Sequence, residues 1–398
     1  MVRLPPKLRP LFPYLKPVYV GATGVVSPLT RRLSERRGGW LPTGVAATLE
    51  DAAEDGGRCV VARPPEVIER GVQQGRPAGL PLADDSDGEH VERVAVAELP
   101  GGRVLGPHRA VVTGAGRLVD EVSRYFGTRR ATQHPLFLQP SAPAPLEVPG
   151  RVAVLASRAD SNYYHFLFDV LPRLGVLDQA PDIAPPDVYY VPAETRFQRD
   201  ALALLDITGP RLLDAAQNSH IRAETLIVPG PPAMIEKNPP WVVAFLREKL
   251  LAGLPVAPGT RKLFVTRGPS ANNRSVVNED AVLARLVARG FEAIDPGSMS
   301  LPEQASAFAS ASLIVAPHGA AMANLAFCSP GAGVVELFPA GCVLPDFWRL
   351  ASGVPGVRYR YLSAPNPKRR TPSRGATIVR DIEVDLDALD QLLDELSS

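Results

Sequence analysis

Two arginines, a histidine and a run of very small residues are the side chains in the second half of this sequence best suited to chemistry. Arg267 closes the apolar run Leu263-Phe264-Val265-Thr266, and Arg274 ends the polar loop that follows, Gly268-Pro269-Ser270-Ala271-Asn272-Asn273. A guanidinium is a planar fork that takes phosphate oxygens in pairs. A loop with one at each end can bring both over a diphosphate; two solvated loop arginines are the plainer alternative. Pro317-His318-Gly319-Ala320-Ala321 follows another apolar run, Leu313–Ala316. Small residues there let backbone N–H groups approach a ligand. A helix starting at Ala320 would add unpaired donors and a partial positive charge, a combination that suits phosphate. His318 contributes a hydrogen bond or a charge. The competing reading is that Gly319, Ala320 and Ala321 only let a helix pack closely on a strand. Glu336, inside Val334-Val335-Glu336-Leu337-Phe338, needs a partner, because a buried carboxylate is costly alone. Ribose hydroxyls and a nearby arginine serve equally well on sequence grounds.

In the first half the run Asn162-Tyr163-Tyr164-His165-Phe166-Leu167-Phe168-Asp169 places His165 and Asp169 four residues apart, on one face of a helix. An imidazole beside a carboxylate can accept the proton of a sugar hydroxyl. It can equally be an internal pair that satisfies two polar groups. Asp85-Ser86-Asp87 has the Asp-x-Asp pattern of metal-dependent sugar transferases, without a strong strand before it. No zinc spacing, Walker loop or Gly-x-Gly-x-x-Gly after a strand is present, so no cofactor is expected.

The elements that would position these groups read as α/β. Residues 91–120 alternate short apolar runs with Gly-containing turns, the pattern of a β-meander. Residues 135–150 are a Pro-rich connection. Strands are expected at Val152–Ala156, Val188–Val191 and Leu226–Val228. Helices are expected from Asn162, as cap, towards Pro172, over Glu194–Leu205 and over Trp241–Leu251. After a linker at Gly253–Gly259, strands at Leu263–Thr266, Phe291–Ile294, Leu313–Ala316 and Val334–Phe338 alternate with helices at Asn278–Arg289, Pro302–Ala309 and Ala320–Phe327. Asn278 is expected to cap the first of these. That alternation means a parallel sheet with helices on both faces, and such sheets bind ligands at the carboxyl ends of their strands. A strand near 378–383 and an amphipathic helix Leu386–Leu396 close the chain.

A length of 398 residues suits two domains. We expect a basic, Pro-rich segment at 1–40, an acceptor-binding domain at 41–252, a nucleotide-sugar domain at 260–380, and a terminal helix at 381–398 that packs back on the first domain. Net charge is +1, which argues against nucleic acid as a partner. Residues 1–40 carry eight Lys/Arg against one acid, Glu35. That stretch suggests contact with an anionic membrane surface or a lipid-linked acceptor; a solvated tail is the alternative. Three cysteines without metal or disulfide spacing suit a reducing compartment. No apolar run reaches the length of a membrane span. A cytoplasmic protein, peripheral to the inner membrane face, is the expected setting.

Taken in order, these residues resemble glycosyltransferase family 61. The resemblance is carried by Asn162-Tyr163-Tyr164-His165, Asp169 and Leu171-Pro172-Arg173, then by Thr266-Arg267, Arg274, Asn278-Glu279, Gly290-Phe291, Leu301, Glu303-Gln304, Pro317-His318-Gly319-Ala320, Asn324, Phe327-Cys328 and Val335-Glu336-Leu337. It spans roughly 95–395, strongest at 150–340, and departs at Ala321, where relatives often have glycine. It implies a GT-B-like fold of two Rossmann-like domains and metal-independent, inverting transfer from a nucleotide-sugar, often UDP-linked. Bacterial relatives serve capsular or other surface polysaccharides. Carried onto this chain, it makes Arg267, Arg274, His318, Gly319, Ala320, Asn324 and Glu336 donor-binding, Asn162 and Arg173 acceptor-binding, and His165 or Asp169 the base. A non-catalytic relative that binds nucleotide-sugar or glycan is the alternative reading. An epimerase or dehydrogenase is disfavoured by the missing glycine fingerprint.

Overall fold

The computed structural model describes residues 39–77, 84–85, 88–125, 128, 130–233, 237–255, 259–267, 275–340, 342–363 and 381–397, with isolated positions between 21 and 32. Residues 1–20, Ser86, Asp87, the loop 268–274 and residues 364–380 lie outside that set, and with them Arg274 and most of the basic segment. The chain forms two compact units: residues 1–66 with 92–234, and residues 67–91 with 235–398.

The first unit is built on a mixed sheet. Four of its strands are parallel: β1 (Leu146–Val154), β2 (Val188–Val191), β3 (Leu212–Asp214) and β4 (His220–Pro229), in the spatial order β4-β1-β2-β3. The first strand therefore has a later strand on one side and its successor on the other. This is the half-Rossmann order whose reversal point lies between β1 and β4. The meander expected at 91–120 is present, but its first turn is not a hairpin. Val94–Pro100 and Arg103–Leu105 both run antiparallel to β4, as one strand interrupted at Gly101-Gly102. A Cβ at Gly102 would lie 2.8 Å from the Leu226 side chain. Only glycine lets that break lie flat on β4. Arg103–Leu105, Ala110–Val112 and Arg117–Val119 then pair in sequence. Alanine, valine and leucine side chains from both sets, among them Ala95, Ala97, Val111, Val152, Val154, Leu226 and Val228, form the core.

The second unit carries five parallel strands: β5 (Arg261–Val265), β6 (Glu292–Ile294), β7 (Ala311–Pro317), β8 (Gly333–Phe338) and β9 (Arg358–Ser363), in the order β6-β5-β7-β8-β9. Numbered from the first strand this is 2-1-3-4-5, a doubly wound order with its switch point between β5 and β7. Alternation divides the sheet. Phe264, Val315, Val335, Leu337 and Leu362 meet Val282 and Leu286 of helix Glu279–Val287 and four leucines of the terminal helix, Leu386–Ser397. The terminal helix thus packs on its own unit's sheet. Its Leu389, Leu392, Leu393 and Leu396 are at most 1% exposed, each burial contributing about 1.5–3 kcal/mol. Asp390 and Asp394 pair with Arg285 and Arg289 of the neighbouring helix.

Two domain boundaries also move. Helix Pro240–Leu251 belongs to the second unit, and so does the early excursion 67–91. There Arg70 pairs with Glu89 at 3.1 Å, both side chains 1% exposed. Arg70 also donates to the Asn238 and Arg349 carbonyls, and Lys237 closes on the other Glu89 oxygen. Strand Gly75–Arg76 joins the sheet beside β9. Among the described residues no helix is long and apolar enough to cross a membrane.

Candidate functional site

Each unit places its candidate residues at its own switch point. In the second unit Arg267 leaves the end of β5 two residues after Val265, and His318 follows the last residue of the adjacent strand, β7. The two meet. Arg267 Nη1 donates to the His318 carbonyl at 3.3 Å. A Cβ added to Gly319 would lie 3.2 Å from Arg267 Nη2, so the guanidinium rests against the bare glycine. Gly319 is in extended backbone, and its value here is the missing side chain rather than any special dihedral. Ala320–Phe327 forms as a helix, but of the 3-10 type. Its tighter turn pairs the Met322 N–H with the Gly319 carbonyl at 2.9 Å. The N–H groups of Ala320 and Ala321 remain as its open end.

The His318 ring is buried. It stacks on Phe338 at 5.0 Å and tilts against Phe347 at 5.3 Å. Its Nδ1 lies 2.5 Å from Glu336 Oε1, and the other Glu336 oxygen accepts the Tyr359 hydroxyl proton. Glu336 is 0% exposed. An imidazole and a phenol are thus among its partners. Period-two alternation explains this: Glu336 shares the face of Val334 and Phe338, opposite the leucine-lined face. Asn324 is also 0% exposed; it donates to Gln304 Oε1 at 2.9 Å and to the Ala321 carbonyl at 3.1 Å. It ties the 3-10 helix to helix Leu301–Ala309.

In the first unit the loop after β1 leads to Asn162, whose side chain accepts from the Tyr164 and His165 N–H groups at 3.0 and 3.4 Å. Asn162 therefore caps the helix, as its type and position suggested. The helix does not end at Pro172. Residues Phe166–Val170 widen into a π turn, with Leu171 N–H bonded to the Phe166 carbonyl at 3.1 Å, and Pro172 then opens helix Pro172–Asp178. Proline lacks the N–H a regular turn needs and collides with the carbonyl four residues back. The wider turn removes both conflicts, and such turns recur at functional sites.

His165 Nδ1 and Asp169 Oδ2 are 2.8 Å apart, with side chains 16% and 27% exposed. The pair is formed and open to solvent. Arg173, expected beside an acceptor, is turned inward. It donates to the Asp169 carbonyl and to the Pro229 carbonyl at the end of β4, both at 2.9 Å. Burial pushes its pKa down to about 10, against the pull of Asp169. It straps the helix across the switch point.

Sequence reasoning missed three groups. Arg158, in the loop after β1, has its pKa lowered to about 10 by burial, with the Asp169 carboxylate opposing. Its place just beyond a strand's carboxyl end was the available signal. Around it His108, Tyr125 and His134 make an edge-on aromatic cluster with centroids 4.9–6.0 Å apart. Tyr359 is the third; nothing in its local sequence connects it with Glu336.

Residues 163–335 match the model of the family described as Glycosyltransferase 61. The matched stretch runs from the start of the His165–Asp169 helix, through Arg267 and His318, to Val335 in β8. No curated protein matches the chain.

Proposed function

Because the chain belongs to glycosyltransferase family 61, we propose that it moves a sugar from a nucleoside-diphosphate donor, UDP-linked in the first instance, to a carbohydrate acceptor with inversion at the anomeric carbon. Family membership supports glycosyltransferase activity; the donor, the stereochemistry and the GT-B arrangement are our reading. One observation carries it. A guanidinium and an imidazole leave adjacent parallel strands at the second unit's switch point, against a glycine and an open helix start. Such a spot suits a diphosphate.

In this mechanism the acceptor hydroxyl oxygen attacks the anomeric carbon from the face opposite the diphosphate. Its proton passes to His165 or Asp169, and the bond from the anomeric carbon to the phosphate oxygen breaks. Negative charge builds on the departing diphosphate. Arg267, His318 and the Ala320 and Ala321 N–H groups are set in advance to stabilise it, and we assign Arg274 to the same task. The resemblance suggests surface-polysaccharide assembly as the setting. The basic segment 1–40 would hold the enzyme on an anionic membrane; equal sedimentation with neutral and anionic vesicles would remove that part.

The test is a thermal-shift screen against UDP-, GDP-, CMP- and dTDP-sugars, because a ligand that binds the folded state raises its melting temperature. One nucleotide class should stabilise the wild type and fail to stabilise Arg267→Ala and His318→Ala. No response to any donor, or an undiminished response in both variants, would defeat the assignment. Binding without transfer or hydrolysis across an acceptor panel would instead identify a non-catalytic relative.

A further inference from the structure

We propose that His134 and Arg158, with His108 at their side, form a subsite in the first unit for an anionic group of the acceptor, a carboxylate or a phosphate; the proposal rests on the first unit being the acceptor-binding half. Arg109 sets the geometry. It stands in the turn between Arg103–Leu105 and Ala110–Val112 at a φ of 53°, which residues other than glycine rarely adopt. Its buried guanidinium donates to Asp160 Oδ2 at 2.9 Å and to the Ala215 carbonyl at 2.6 Å. Asp160 lies in the loop after β1, so the turn is pinned to that loop. The neighbours of these two residues, His108 and Arg158, are carried along. His108 meets Tyr125 and His134 edge-on at 4.9 and 5.9 Å. Arg158, half-buried, is within electrostatic reach of all three rings.

His134 is the group that points to a ligand. It is 2% exposed. Its Nδ1 accepts the Leu136 N–H at 3.2 Å, so the proton of the neutral ring sits on Nε2. Burial, with His108 and Arg158 adding to it, holds the ring neutral, with a pKa of about 3. Nε2 is buried and has no hydrogen-bond partner, a state that costs free energy until an acceptor arrives.

An N–H resting on aromatic faces would be packing alone. Two features argue for more. Packing does not require a guanidinium drawn out of water beside two imidazoles. Nor does it require a strained residue to hold that arrangement in place. A guanidinium has five donors, so Arg158 can keep its present contacts and take an anion as well. Arg158 is also within electrostatic reach of Asp169. Asp160 is engaged by Arg109 and Asp169 by His165. An anion held by Arg158 would set the rest of the acceptor beside the His165–Asp169 pair.

The experiment is proton–nitrogen NMR of full-length protein labelled in histidine, with the His134 Nε2–H signal identified by its loss in His134→Asn. Methyl glucuronide, glucose 6-phosphate and methyl glucoside are the acidic, phosphorylated and neutral probes, and calorimetry supplies their affinities. At least one anionic probe should move the signal, and the neutral one should not. The glucuronide alone would identify an acidic sugar as the acceptor group, and the phosphate alone a phosphorylated acceptor. Arg158→Gln should weaken the anion about 10- to 100-fold and His134→Asn, which keeps an acceptor for the Leu136 N–H, about tenfold. Circular dichroism checks each variant's fold. A signal that no anion moves, or that the neutral sugar moves equally, would overturn the subsite. So would undiminished affinity in Arg158→Gln, even if His134→Asn failed to fold. Transfer assays separate this proposal from the reading beneath it. If the anion binds as expected but acidic glycans are no better acceptors than neutral ones, the subsite stands and the acceptor assignment of the first unit falls.

Discussion

Gly319→Ala separates the proposed donor site from the fold. The residue's φ of 166° is extended backbone that alanine adopts freely. No backbone strain is introduced, and the melting temperature should change little. The new methyl, however, would stand 3.2 Å from Arg267 Nη2 and 3.4 Å from its Cζ. The first distance is a few tenths of an ångström inside ordinary contact, so the guanidinium must shift. A charge-assisted bond to a phosphate oxygen contributes about 1.5–3 kcal/mol. A shifted but still present guanidinium should forfeit about half of that, roughly 1 kcal/mol, which is about five- to tenfold in donor affinity. Arg267→Ala should cost the full amount, about 10- to 100-fold.

The double variant tests the reasoning. If the methyl acts by displacing Arg267, it has nothing left to displace once Arg267 is alanine. Gly319→Ala should then cost nothing further, leaving a coupling of about 1 kcal/mol in the cycle. Calorimetric titration of the donor nucleoside diphosphate into the four proteins supplies the numbers. Strictly additive losses would show that Gly319 and Arg267 serve separate purposes. Unchanged affinity with a lowered melting temperature would make the glycine a packing residue.

Three further outcomes are expected. His165→Gln and Asp169→Asn should each lower turnover at saturating donor by about 100-fold or more, the usual range for a lost general base; full turnover in both would remove the pair from the mechanism. Arg173→Met should lower stability by about 3–5 kcal/mol with donor KM unchanged, since a buried guanidinium serving two carbonyls is lost; a selective rise in acceptor KM without loss of stability would restore the acceptor role. The first unit should also weaken in mild acid. Burial, with His108 and Arg158 adding to it, holds His134 at about 3. The unfolded chain takes up that proton near pH 6.5 and the folded one does not, so stability is lost as pH falls from 6.5. The cost by pH 5 is about 2 kcal/mol, and a His134→Phe protein should show a flatter dependence of urea midpoint on pH.

Much of the second unit was legible in the sequence because β7, β8 and the last three residues of β5 are almost wholly buried and so appear as unbroken apolar runs between glycines and prolines. β5, β7 and β8 lie within two residues of their expected bounds. β9 was missed because Arg358-Tyr359-Arg360-Tyr361 lacks an unbroken apolar run; its alternation of charge with aromatic was the strand signal available. Residues 67–91 escaped because their partners lie far away in the chain: Arg70 finds Asn238 and Arg349 only after folding. Local rules were also overridden. Asn278 has the type and place of a cap, yet its amide is spent on both backbone groups of Val384. Pro172 has the chemistry of a helix stop, yet a π turn absorbs it. Residue types at the site were readable; what each one faces was not, because a strand's period tells only which side a residue takes.

That distinction changes how the proposed donor site would work. From sequence, the helix after Gly319 was expected to supply much of the positive field. A 3-10 helix of eight residues supplies less, with two open N–H groups where an α-helix would leave more. Ala320 and Ala321 stand partly exposed at the lip, where water screens what they offer. On the proposed reading the burden of charge moves to Arg267 and His318, and their positions become decisive. The guanidinium is braced by a carbonyl and a bare glycine, and the imidazole is held by a carboxylate and two aromatic rings. A site that stabilises charge only in passing has to hold its dipoles still beforehand, because reorienting them during the reaction would return the advantage. Loosening the support around His318, as in Phe347→Ala, should therefore lower turnover more than it weakens nucleotide binding, whereas deleting the guanidinium should strike both.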